Sequence, residues 1–296
     1  MKKVLILKDN YNSFEQYYLL NLNNEIADAF FYYTNSSYLR KIMTHYGLFF
    51  ESIWYGNWKN KLSDYEIVIV FDSLHTSKLL KYIRKRFSGR LIYWHWNPVR
   101  DDKERRIIED TKIFCEHWTF NPLDAEIFDM KLNNQLFFYQ KKNKFDKQNS
   151  AFFVGTDKGR YDQLVSLGVA LKKEGINPDF HVIDQVNSGM YYQKEYIQYS
   201  EVLEKIKKSK IVVEITQEGQ NGMTSRALEA MFCGSKLITN NKEIQNSSFY
   251  QEENIYIIGE NKSDIHEFLF TPFKLLQENE LYQYSAEGWI RNFIKG

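Results

Sequence analysis

The stretch "VEITQEGQNGMTSRALEAMFCGSKLIT" (Val213–Thr239) contains a whole structural passage. An apolar strand closes, a polar loop carrying Gly222 follows, a helix runs from Ser225, and Gly234 ends it before a second short strand. At ~100° per residue, Ser225, Arg226 and Glu229 share one arc of about 100°, while Leu228 and Met231 lie on the other side, with Phe232 at the border. The apolar side is expected to pack on a sheet and the polar side to face outward. Near the helix start, free backbone N–H groups and the macrodipole favour an anion. Gly222 lets the loop backbone approach a ligand closely, and Thr224 and Ser225 add hydroxyls. Arg226 can fork two phosphate oxygens, and Glu229 can accept from two vicinal hydroxyls. A ligand with a diphosphate and a ribose satisfies all three side chains. A solvated helix face with an Arg226–Glu229 i,i+3 pair is the other reading.

Working outward, strands and helices alternate along the chain. "KKVLILK" (2–8), "DYEIVIVFD" (64–72), "GRLIYWHW" (89–96), "EHWTFN" (116–121) and "NQLFFYQ" (134–140) read as strands. "SSYLRKIMTHYGLFF" (36–50), "SKLLKYIRKRF" (77–87), "DKERRIIEDTKIF" (102–114) and "PLDAEIFDMKL" (122–132) read as helices. "KKNKFDKQNS" (141–150) is polar and without period, so it reads as a linker. The alternation then restarts from "SAFFVG" (150–155) and runs to "NIYII" (254–258). Two α/β, Rossmann-like halves are expected: 1–140, and 151–275 after the linker at 141–150. The tail, 276–296, reads as helical and carries Trp289, Ile290, Phe293 and Ile294.

Composition bounds the function. Apolar residues at 43% and aromatics at 17% suffice for two buried cores, and four prolines argue against a disordered chain. Cys115 and Cys233 are too far apart for a CxxC metal pair and fit a reducing compartment. Every apolar run is strand-sized, so a cytoplasmic protein is expected. Residues 1–150 hold 23 Lys and Arg against 18 Asp and Glu, and residues 151–296 hold 16 against 20. That asymmetry is either scatter or a basic first half facing an anionic partner. The helix over 78–87 sets Lys81, Arg84, Lys85 and Arg86 against Leu79, Leu80 and Ile83. It is either an ordinary sheet-packed helix or a peripheral contact with anionic lipid at the inner face of the plasma membrane. No basic stripe or stacking repeat points to nucleic acid.

In "YWHWNPVRDDKERR" (93–106), Trp94, Trp96 and Asn97 offer stacking and hydrogen bonding to a sugar acceptor. His95, Asp101, or Asp9 in the first loop could act as base for an acceptor hydroxyl, and these residues do not separate from one another in the sequence. Core tryptophans beside a satisfied histidine are the plainer alternative. The adjacent pair Asp101-Asp102 is too little to hold a metal.

"ALEAMFCGSKLIT" resembles the helix-and-strand signature of the second domain of GT-B glycosyltransferases, in which a Glu before an Ala-Met run binds the ribose of a nucleotide sugar. Glu229 matches that position. The family often has another Glu eight residues earlier, where this chain has Asn221. "GQNGMTSRALEA" is similar to a bacterial branch of polysaccharide and lipopolysaccharide biosynthesis transferases, with a Gly-x-Thr-x-Arg pattern in place of that Glu. The likeness covers roughly 150–296 and is weak over 1–150. It implies a GT-B fold, two Rossmann-like domains facing across a cleft, with no metal or cofactor, and a C-terminal helix over 276–296 that packs back on the N-terminal domain. It also implies donor contacts in "FFVGTDKGRYDQL" (152–164): Gly155 and Thr156 at the strand end, and Lys158 and Arg160 as the basic pair that neutralises the donor diphosphate. The activity implied is transfer of a sugar from a nucleotide-sugar, UDP-linked, to a hydroxyl of a glycan acceptor that is lipid-linked. A non-catalytic nucleotide- or sugar-binding protein on a degenerate GT-B fold is the alternative.

Overall fold

The computed structural model describes residues 3–8, 25–30, 53–72, 77–137, 145–217, 222–261 and 264–296. The chain divides into two compact units, one of residues 1–134 with 289–296 and one of residues 135–288.

The first unit is built on a parallel sheet of order β2-β1-β3-β4-β5-β6. Its strands are β1 (Val4–Lys8), β2 (Glu25–Asp28), β3 (Ile67–Phe71), β4 (Arg90–His95), β5 (Glu116–Thr119) and β6 (Lys131–Leu132). Helices α1 (Ser77–Arg84), α2 (Asp102–Thr111) and α3 (Pro122–Phe128) alternate with them. All five residues of β3 are buried, as a strand covered on both faces requires. Side-chain alternation sorts β4 into two faces. Leu91 and Tyr93 join a core with Leu79, Ile83 and Ile107. Trp94 meets Trp289 and Phe293 edge-on, with ring centroids 5.5 and 5.8 Å apart. The last two rings lie on the terminal helix, so the end of the chain completes the core that its beginning starts.

The second unit is a parallel sheet of order β12-β11-β10-β7-β8-β9. Its elements are β7 (Gln148–Thr156), α4 (Tyr161–Lys173), β8 (Asn177–Ile183), β9 (Tyr192–Gln193), α5 (Tyr199–Lys208), β10 (Ser209–Glu214), α6 (Ser225–Phe232), β11 (Lys236–Thr239), β12 (Ile255–Ile257), α7 (Ile265–Phe270) and α8 (Glu278–Tyr282). The chain winds from β7 toward β9, then returns to β10 on the other side of β7 and winds away to β12. The winding therefore reverses between β7 and β10. In open α/β sheets, ligands bind outside the carboxyl ends of the strands at such a switch point. Helix α6 is held at both ends. Thr224 caps its start by accepting from the Arg226 N–H at 3.1 Å. Gly234, at φ 66°, ends it in a Schellman turn, with Ser235 N–H donating to the Ala230 carbonyl and Gly234 N–H to that of Met231. The half-buried Lys147 ammonium then donates to the Cys233 carbonyl at 2.9 Å, where a cation suits the helix dipole.

Several expectations change. The tail is two helices, α8 and α9 (Ala286–Lys295), and the latter belongs to the first unit from Trp289 onward. Strand β7 begins at Gln148, inside the span read as linker; its first residues are exposed and polar, so no apolar run announces them. The run at 134–140 is not a strand over its described part. Phe137 is buried instead by packing on Phe232, ring centroids 5.3 Å apart, because an apolar run marks burial without marking its cause. The helix expected over 36–50 lies outside the described residues.

A buried relay crosses β4 and β5. Thr111 donates its hydroxyl proton to the Ile107 carbonyl at 2.5 Å, so it can only accept from His117 Nε2 at 2.9 Å. His117 Nδ1 therefore accepts from His95 Nε2, also at 2.9 Å. Burial lowers the His117 pKa to about 4. The unfolded chain then binds this proton at higher pH than the folded one does. Stability contributed by the neutral ring is complete above about pH 6.5 and is lost as pH falls toward 4. Urea unfolding at pH 6.5 and 4 should show a loss of up to about 3 kcal/mol from this group. The loss should be clearly smaller in His117→Gln.

Candidate functional site

At the switch point of the second unit, two loops leave the same sheet edge. The first follows β7. A Cβ on Gly155 would lie 2.5 Å from Arg160 Nη2, so the missing side chain is what admits the guanidinium over the strand end. From there Arg160 donates to the Thr156 carbonyl through Nε at 3.1 Å and Nη2 at 2.9 Å, and to the Ile215 carbonyl through Nη1. One side chain thus ties the end of β7 to the end of β10. Lys158 and Gly159 have φ of 50° and 80°, which turns the chain sharply and leaves Lys158 exposed. Asp157 secures the turn. Its Oδ1 accepts from the N–H groups of Arg160 and Tyr161, and its Oδ2 from the Tyr192 hydroxyl at 2.6 Å. Tyr161 and Tyr192 stack at 4.0 Å, nearly parallel.

The second loop joins β10 to α6. Its described part places Gly222 beside β11, where the Gly222 carbonyl accepts from Asn241 Nδ2 at 3.3 Å. Ser225 and Arg226 are half-buried on the first turn of α6. Glu229 departs from the outward placement read from helical period: it is 1% exposed. Helix α5 covers that side, and the Tyr199 hydroxyl donates to Glu229 Oε1 at 2.8 Å, while Arg226 Nη1 pairs with Oε2 at 2.5 Å. A single-helix projection does not show a neighbouring helix. Both carboxylate oxygens already accept, so any contact to a ribose is made with lone pairs left beside Tyr199 and Arg226 or by displacing Tyr199.

The residue missed by sequence reasoning is Glu214, the last residue of β10 and 4% exposed. Thr224 donates to its Oε1, and Thr239 to its Oε2 at 2.5 Å. Burial raises its pKa, against which the two threonines and then Arg226 and Arg160 act. Burial, and next the charge of Arg226, lowers that of Arg160. The two guanidiniums are therefore close enough to repel, above a buried acid. A signal was present: an acidic residue closing an apolar run, "KIVVE", is hard to place except at a polar site. The arrangement offers two cations, a capped helix start and oriented hydroxyls at one sheet edge, which is a site for a dense anion.

In the first unit, the acceptor-side candidates are mostly interior. Trp94 is fully buried, and Trp96 is 6% exposed and stacks on Phe71 with centroids 5.7 Å apart. Neither ring presents a face for a sugar; the plainer reading, core tryptophans, holds. His95 is buried in the relay to His117. Asn97 is exposed, and its backbone N–H and Nδ2 donate to Asp72 Oδ2 at 2.9 and 3.4 Å. Asp101 is exposed and caps α2 by accepting from the Glu104 N–H at 2.8 Å. Asp9 lies outside the described residues. The basic side of α1 is largely engaged within its own unit: Lys81 pairs with Asp110 at 3.0 Å, and Arg84 donates to the Gly89 carbonyl. Both cysteines are buried, and burial raises their thiol pKa values, that of Cys233 to about 12. Among the described residues no helix is long and apolar enough to cross a membrane.

No protein-family model and no curated protein sequence matches this chain. Solved structures do. A sucrose-phosphate synthase from Thermosynechococcus elongatus aligns over 100% of this chain and 98% of its own at 10% identity and a TM-score of 0.53. An alpha-glucosyltransferase in complex with UDP-glucose and DNA containing an abasic site aligns over 99% and 98% at 11% identity and a TM-score of 0.51. A glycosyltransferase involved in Avilamycin A biosynthesis aligns over 100% and 96% at 8% identity and a TM-score of 0.51. At such identities the likeness is one of fold, and with two parallel six-stranded sheets covered by helices, the fold of this chain is GT-B.

Proposed function

We propose that this protein is a glycosyltransferase that moves a sugar from a UDP-linked donor to a hydroxyl of an acceptor. One observation carries the reading: at the switch point of the second GT-B unit, Arg160 is fixed over the ends of β7 and β10, and Arg226 lies on the first turn of the capped helix that follows β10. Breaking the bond between sugar and diphosphate leaves negative charge on the departing phosphate. Cations and N–H groups already fixed in place stabilise that charge without reorganising. Arg160 is fixed by two carbonyls and Arg226 by Glu229. In this proposal Gly155, Thr156, Lys158, Arg160, Gly222, Thr224, Ser225, Arg226 and Glu229 form the donor site. The two arginines do the work a divalent ion would otherwise do, so turnover should persist in chelator.

The finer proposal is a lipid-linked glycan acceptor in bacterial surface polysaccharide or glycoconjugate synthesis. It is supported by the likeness of Val213–Thr239 to that branch of transferases. The alpha-glucosyltransferase neighbour was solved with DNA, so duplex DNA belongs in the acceptor panel. Thermal shift against a nucleotide-sugar panel identifies the donor, because a specific ligand stabilises the folded form by mass action. Release of UDP with each acceptor then tests transfer. Stabilisation by a donor without UDP release would favour a binding protein on the same fold, and no response to any nucleotide would remove the proposal.

Two substitutions examine the diphosphate contacts. Arg226→Lys keeps the charge and loses the planar fork. It should bind UDP about tenfold or more weaker while binding uridine as wild type does, read by titration calorimetry. Gly155→Ala drives a methyl into the place of Arg160 Nη2. It should weaken UDP binding and cost roughly 1–3 kcal/mol through the carbonyls left without donors. In an Arg160→Ala background the same change should do little, and a double-mutant cycle reads that coupling.

A further inference from the structure

Glu214 does more than fill a polar gap beneath the arginines. The two hydroxyls that donate to it are themselves acceptors: Thr224 from the Arg226 N–H at 3.1 Å, and Thr239 from the Asn241 N–H at 3.0 Å. While Glu214 is ionised, the Thr224 proton is committed to that carboxylate rather than to a ligand at the helix start. The charged groups around it are Arg226 and Glu229 from α6 and Arg160 from the loop after β7; β11 presents Thr239. Two guanidiniums then balance two carboxylates. Asp157 adds a third carboxylate beside Arg160, so a nucleoside diphosphate brings further negative charge to a site whose guanidiniums are already matched.

We infer that Glu214 binds a proton when a nucleoside diphosphate occupies this site and returns it to solvent when the ligand leaves, turning the Thr224 hydroxyl toward the ligand. The inference rests on the donor-site reading given above. The step balances simply: the acid form of the buffer gives up a proton, which adds to Glu214 Oε1, and no bond to hydrogen within the protein is lost. The new O–H donates to Thr224 Oγ1. That oxygen keeps accepting from the Arg226 N–H through its second lone pair, and its own O–H, still intact, turns to donate a hydrogen bond to a phosphate oxygen. Burial has already raised the affinity of this carboxyl for a proton, and an anion beside it raises that affinity further. Glu214 is a positioning residue that acts through Thr224. The empty site keeps its acid charged; the filled site gains a hydrogen-bond donor aimed at the phosphate.

The test is titration of UDP into the protein at about pH 7, in buffers of different ionisation enthalpy, which counts protons taken up per ligand. Glu214→Gln is the reference, since its amide mimics the protonated acid and cannot titrate. Wild type should take up a large fraction of one proton more than this variant. Its affinity should fall by up to about tenfold from pH 7 to 8, against about twofold or less for the variant. Thr239→Val gives a second reading should the Gln variant fold poorly. It removes one donor to the carboxylate, so Glu214 is protonated before ligand arrives, and both the uptake and the pH slope should shrink. Equal proton counts, or parallel pH profiles, in wild type and variants overturn the inference. If UDP does not bind, inorganic pyrophosphate is titrated instead. Uptake that depends on Glu214 with pyrophosphate keeps the proton step and removes the nucleoside; binding of neither probe overturns both.

Discussion

Two carbonyl oxygens, those of Thr156 and Ile215, lie where β7 and β10 end and the sheet stops supplying donors. A buried carbonyl without a donor is costly, and a parallel sheet creates this problem at every strand end. Here one guanidinium answers for both strands. The rest of the site follows from that bond set. Gly155 must lack a side chain, the turn at Lys158 and Gly159 must bring Arg160 back over its own strand, and Asp157 with Tyr192 must hold the turn. A cation is thereby fixed at the switch point before any ligand arrives.

That cation has to be tolerated in the empty protein. Arg160 and Arg226 repel each other, and Glu214 and Glu229 offset them in different ways. Glu229 pairs directly with Arg226 and is braced by Tyr199 from α5. Glu214 sits below and is solvated by hydroxyls instead of by a cation. Buried charges persist only when hydrogen-bonded and compensated, and here every one of them contacts an element that leaves the same sheet edge. Rigid placement of the cations and a balanced resting charge are therefore products of one local design.

Much of this was legible in the amino-acid sequence because parallel α/β units write their strands as short apolar runs. The strands of both sheets that such runs announce, from "VLILK" to "IYI", lie where they were expected. β2, β6 and β9 are not announced, because their residues are mixed in character and exposed or partly exposed at sheet edges, and β6 falls within the span that reads as a helix over 122–132. The Arg226–Glu229 pair was visible as an i,i+3 spacing, but the burial of Glu229 depends on Tyr199, thirty positions away, which no local period encodes. Trp94 and Trp96 were misplaced for a related reason: an aromatic at a strand end looks the same whether a sugar or Trp289 covers it. Glu214 was overlooked because a strand reading rewards apolar content and passes over the charge that ends it.

The first unit's core is closed by its last segment, since Trp289 is fully buried among Phe71, Trp94 and Phe293. During synthesis the chain leaves the ribosome in order. Residues 135–288 form a contiguous unit, all of it synthesised before Trp289 is added. The unit begun first must wait, with the faces of Phe71 and Trp94 uncovered, until Trp289 emerges. The half made first is thus the half finished last, and its exposed aromatic floor is the surface a chaperone would meet in the interval.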